Sequence, residues 1–141
     1  MDLIEDIAAI REPLPEPGSV TPEELFDDAY TQAQQARSDY AADLEAQCDG
    51  LGEDPLLLAI GNARARKEAA DREIRLLLAY GREFHAERAY KLEQLAEISG
   101  MTPSGVRTAY TDREVDAVAR QIARQADSRR YRPRDQRHDT A

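Results

Sequence analysis

Tryptophan is absent from this 141-residue chain, and only two phenylalanines and one cysteine occur. A core with so few large rings has to be packed from leucine, isoleucine, valine and alanine. The period-two alternation that marks half-buried strands is nowhere sustained, so the expected class is all-α. Cys48 stands alone, which excludes an intrachain disulfide and a cysteine-based metal site. Lysine is confined to Lys67 and Lys91, and every other basic residue is arginine. No stretch approaches the roughly 18 apolar residues that a spanning helix needs. The opening MDLIEDIAAI is acidic where a secretory signal would be basic, so a cytoplasmic protein away from membranes is expected.

What is abundant is charge, one third of all residues, and it is unevenly placed. Residues 1–60 hold 15 acidic and 2 basic side chains, whereas residues 61–141 hold 13 acidic and 17 basic. The net −9 therefore belongs to the front half, and the back half is positive. Such a division is compatible with phosphate contact, because a ligand meets the local field and not the total charge.

Along the chain, residues 2–11 carry Leu3, Ile4, Ile7 and Ile10 at helical spacing. Pro13, Pro15 and Pro17 then forbid helix and predict a stiff extended spacer. Thr21-Pro22-Glu23-Glu24 reads as a helix start with Thr21 as cap and Glu24 completing a capping box. Phe26, Tyr30, Ala33, Arg37, Tyr40 and Leu44 place a seam on a helix that the pattern carries to about Gln47, with Gly50 and Gly52 as stop signals. That seam can pack within its own chain or between two protomers. Asp54-Pro55 restarts a helix whose buried side is expected at Ala70, Ile74, Leu77, Leu78, Gly81 and Phe84, with a weakening at Gly61-Asn62.

The most specific stretch is LEQLAEISGMTPSGVRTAY, residues 92–110. Leu92, Leu95, Ala96, Met101, Val106 and Ala109 supply the apolar positions, and Gly100 sits where one helical pattern stops and another begins. Gly100 is suited to the positive φ that ends a helix, Thr102 to capping the next, and Pro103 to its first position. Gly105 is costly inside a helix and suggests a close approach, to the preceding helix or to a ligand. Thr111-Asp112-Arg113-Glu114 is a further capping box, followed by Val115, Val118, Ala119, Ile122 and Ala126 on one face.

The segment LAEIS followed by GMTPSGV resembles the DNA-binding helix-turn-helix of phage repressors and of the promoter-reading region of sigma factors. It is also similar to small sigma-region-4-like proteins of actinobacteria. Ser99 stands where these motifs carry an apolar residue, and Ala109 is small for the closing contact. The resemblance covers about residues 72–124. It implies a non-winged head whose second helix, residues 102–110, enters the major groove of double-stranded DNA. Thr102, Ser104, Arg107 and Thr108 would then face base edges, with Arg107 suited to a bidentate pair with guanine. Lys91, Gln94, Tyr110, Thr111 and Arg113 would grip phosphates. Arg120, Arg124, Arg129, Arg130, Arg132, Arg134 and Arg137 add a second basic feature, with Tyr131 among them.

The expected organisation is a short helix and proline-rich linker (1–20), a helical dimerisation region (21–71), the helix-turn-helix head (72–127) and an arginine-rich tail (128–141). Nothing in the pattern calls for a cofactor or a metal. His85 and His138 lack partners at ligand spacing, and the carboxylate pairs Glu23-Glu24 and Asp27-Asp28 suit a solvated helix face. The expected function is sequence-specific DNA binding by a homodimeric transcriptional regulator. The alternative is an adaptor whose acidic front half binds a polymerase subunit or another regulator.

Overall fold

The computed structural model describes residues 2–127, and all regular structure among them is helical. Six α-helices follow in order: α1 Leu3–Arg11, α2 Phe26–Leu51, α3 Pro55–Glu83, α4 Leu92–Ser99, α5 Pro103–Ala109 and α6 Asp112–Ile122. A 3-10 turn, Glu23–Leu25, leads into α2. The chain divides after Arg66 into two compact units, so α3 begins in one and ends in the other. Among the described residues no helix is long and apolar enough to cross a membrane.

In the first unit, Asp2 caps α1 by accepting the Ile4 N–H at 3.0 Å. Nine residues are too few for a helix to persist alone in water, so α1 depends on docking. It docks on α2: Ile7, Leu44 and Cys48 form a buried cluster with Ile4, Tyr40, Leu58 and Ala59 around it. This end of the α2 seam therefore packs against its own chain. Arg37, which breaks the apolar pattern of the seam, donates from Nε and Nη2 to the Glu12 carbonyl at 3.2 and 3.1 Å. The proline-rich segment is thereby pinned to α2 at its start.

Two boundaries differ from the sequence reading, both of them on α2. Thr21 does not cap α2, because Pro22 keeps an extended backbone (ψ 157°) and the chain enters through the 3-10 turn instead. The helix also runs past Gln47, with Gly50 inside it. Gly52, at φ 66°, provides the left-handed stop that Gly50 does not. Asp54 then accepts the Leu57 N–H at 3.0 Å and starts α3, which continues unbroken through Gly61-Asn62. Asn62 donates to Gln47 Oε1 at 3.1 Å, so it links α3 to α2.

The second unit combines the end of α3 with α4, α5 and α6 around two adjoining clusters. Leu78, Leu92, Ala96 and Val106 form the first, with Ile74, Leu95, Met101, Ala109 and Tyr110 packed on it. Ala79, Phe84, Val115 and Val118 form the second, flanked by Leu76, Tyr80, Tyr110, Ala119 and Ala126. Ala70 and Leu77 are exposed, contrary to the expected stripe, since the last turns of α3 turn Leu78, Ala79 and Gly81 inward. Ile122 is also exposed: α6 ends there, and Ala123 takes a left-handed conformation that redirects the chain so that Ala126 returns to the core.

Candidate nucleic-acid interface

The corner between α4 and α5 is built by its caps. Gly100 closes α4 at φ 72°, ψ 15°, and the Met101 N–H reaches back to the Ala96 carbonyl at 3.0 Å. That pairing satisfies a carbonyl left open at the helix end and tucks Met101 onto the α4 core. Thr102 accepts the Gly105 N–H at 3.0 Å, and Pro103 occupies the first position of α5. Val106 is completely buried among Leu78, Leu92 and Ala96, which fixes the inner face of α5.

With that face fixed, Thr102, Ser104, Arg107 and Thr108 are all exposed. The hydroxyls are not equivalent. Thr108 Oγ1 donates back to the Ser104 and Gly105 carbonyls, both at 3.2 Å, so it offers an outside ligand its lone pairs and methyl group. Ser104 Oγ lies 3.5 Å from Thr102 Oγ1. Gly105 makes its close approach to the cap and not to α4, for an added Cβ would come within 3.1 Å of Thr102 Oγ1. Glycine at 105 therefore leaves room for the threonine that starts the helix.

Lys91, Gln94 and Arg113 are exposed at the start of α4, on α4 and on the first turn of α6. Thr111 is exposed, but its hydroxyl donates to Glu114 Oε2 at 2.7 Å while accepting the Arg113 N–H at 3.3 Å. Together with Thr111 N–H to Glu114 Oε2 at 2.7 Å, this is a complete capping box. Partial burial works to raise the Glu114 carboxyl, yet hydrogen bonds from Thr111 and its backbone, with Arg75 nearby, hold it below the usual range.

Tyr110 is placed inward. It packs on both clusters of the unit, and its hydroxyl donates to Glu83 Oε1 at 2.9 Å. Glu83 is only 8% exposed, and its Oε2 has no partner among the described residues. No local pattern marks this pair, since its two residues lie 27 positions apart. Burial, then the Glu83 carboxylate, pushes the Tyr110 hydroxyl up to about 12. The folded state thus favours the protonated phenol, so this contribution to stability is intact below pH about 10 and is lost as pH rises towards 12. Tyr110→Phe leaves Glu83 without a donor and is expected to cost about 1–3 kcal/mol at neutral pH. Denaturant unfolding as a function of pH should also show a flatter alkaline limb in the variant than in the parent.

Charge is less one-sided here than in the back half as a whole. Residues 67–127 hold ten basic and eleven acidic side chains, so a positive surface has to come from the local placement of Lys91, Arg107 and Arg113. Arg120 is exposed on α6. Arg124 is turned to its own chain, with Nη2 donating to the Phe84 carbonyl at 2.8 Å and Nη1 lying 3.7 Å from Asp127. Arg129, Arg130, Tyr131, Arg132, Arg134, Arg137 and His138 lie outside the described residues. His85 is partly buried, with Tyr80 and Tyr90 edge-on to its ring at 4.7 and 5.4 Å. Among the described residues no three His, Cys, Asp or Glu side chains converge to hold a metal ion. Compared with protein-family models, with curated proteins and with solved structures, the chain matches none of them.

Proposed function

We propose that the second unit is a helix-turn-helix head that reads double-stranded DNA, and that the protein is a transcriptional regulator working as a homodimer on a palindromic site. The observation that carries this reading is the α4–α5 corner. Gly100 ends one helix, Thr102 caps the next, Val106 is buried between them, and a short polar face bearing Arg107 is left in solvent. A purely packing hairpin has no need of short hydrogen-bonding side chains on its outer face. A helix that must enter a groove about 12 Å wide has such a need.

In this reading Arg107 contacts a guanine edge, Ser104 and Thr102 add contacts at the N-terminal end of α5, and Lys91, Gln94 and Arg113 hold phosphates. Tyr110 and Thr111 contribute by fixing the backbone that follows α5, since their hydroxyls are bound to Glu83 and Glu114. Two heads would sit about 34 Å apart, one turn of the duplex, or a multiple of it. The chemistry is recognition without bond making, so no catalytic residue or cofactor is invoked.

Selection of bound fragments from random duplexes by the full-length protein, at stated salt, tests the proposal and should enrich a palindrome. On the enriched site, Arg107→Ala should lose about 1–3 kcal/mol and tolerate substitution at one base pair per half-site. Lys91→Ala should weaken all sequences alike and make binding less sensitive to salt. If neither substitution alters binding in a fluorescence anisotropy titration, α5 is not the reading helix.

A further inference from the structure

The outermost line of α5 is set by Val106. An α-helix turns about 100° per residue, so the residues two before and two after a buried position stand nearly opposite it. For Val106, which is completely buried, these are Ser104 and Thr108, one turn apart and both exposed. Arg107 is one residue from Val106 and lies on a flank of the presented face. Gly105, on the other flank, carries no side chain. A duplex that meets this face squarely comes to Ser104 and Thr108 first.

The Thr108 hydroxyl is turned away from such a ligand. Its Oγ1 donates to the Ser104 and Gly105 carbonyls of the preceding turn, both at 3.2 Å, so its one proton is held by α5 itself. With the oxygen turned to the backbone, the methyl group on the same Cβ is the outer part of the side chain. Base edges in the major groove carry donors and acceptors on every base pair, but only one apolar group, the 5-methyl of thymine. Resting on the reading of α5 as the groove helix, we propose that Thr108 selects thymine by contact between the two methyl groups and donates no hydrogen bond to a base.

Deoxyuridine keeps every hydrogen-bonding group of thymine and lacks only the methyl, so it is placed at each thymine of the enriched duplex in turn. In anisotropy titrations of the full-length protein, one position per half-site should lose about fourfold in affinity, the worth of burying one methyl group. Cytosine at that position should bind weakly, and 5-methylcytosine should regain about fourfold over it. Thr108→Ser keeps the hydroxyl and removes the methyl. It should bind the thymine site about fourfold more weakly and no longer distinguish deoxyuridine. Thr108→Val keeps a methyl and removes the hydroxyl, and it should still show the fourfold loss on deoxyuridine. The reverse pattern, with serine keeping the distinction and valine losing it, assigns the contact to the hydroxyl and overturns the proposal. An enriched site without thymine overturns it too, as does indifference to deoxyuridine at every position. In those cases Arg107→Ala still lowers affinity if α5 is the reading helix, so the two failures are told apart. A protein that enriches no duplex ends both.

Discussion

Phe84→Ala is expected to destabilise the second unit by about 3–5 kcal/mol, the range for deleting a fully buried aromatic ring. Phe84 has no exposed surface and sits just beyond the last turn of α3, where α6 closes over it. Its ring lies 5.9 Å from that of Tyr80, and the Arg124 guanidinium stands over it at 5.8 Å. Alanine would remove the packing partner of Val115 and Val118, the two buried residues of α6. It would also leave the Arg124 side chain holding a carbonyl over an empty site. Small domains are stable by only about 5–15 kcal/mol, so this one change takes a large share. Hydrogen exchange on the full-length variant should show α4, α5 and α6 opening, and any DNA affinity should fall with them. A loss below about 1 kcal/mol would mean that α6 is held by something other than this cluster.

Leu44→Ala should have the second-largest effect, about 2–5 kcal/mol, and it should fall on the first unit. Leu44 is 2% exposed and lies between Ile7 of α1 and Cys48 one turn along α2. Because α1 is too short to persist undocked, the loss should appear first as accelerated exchange in α1 and then in the neighbouring turns of α2. The contrast between the two variants separates the units. Phe84→Ala should leave exchange in α1 close to that of the parent, and Leu44→Ala should leave α4–α6 protected. Uniform acceleration in both variants would show that the chain unfolds as one cooperative block.

Much of the local structure was legible in the residues because it is set by interactions that span only a few positions. Thr102 and Thr111 accept backbone N–H groups two or three residues on, and Gly100 takes the positive φ that other residues resist. The caps at either side of α5, and hence which of its residues face outward, follow from such local chemistry together with the placement of Val106. The entry to α2 was misread for a related reason: the same residues allow a capped α-helix or a 3-10 turn, and the extended backbone at Pro22 selects the turn.

The amino-acid sequence alone determined the helical class, the α4–α5 corner and the outward side of α5, since each depends on spacing within one or two turns. Tertiary structure decided what lies far apart along the chain. It turned Tyr110 inward to Glu83, set Arg37 on the Glu12 carbonyl, closed part of the α2 seam with α1, and left Ile10, Leu57 and Ile60 in solvent. The physical reason is that periodicity tells which residues share a face, whereas burial depends on what arrives to cover that face. A glutamate and a tyrosine 27 residues apart carry no local mark of one another, and only the packed core brings their oxygens to 2.9 Å.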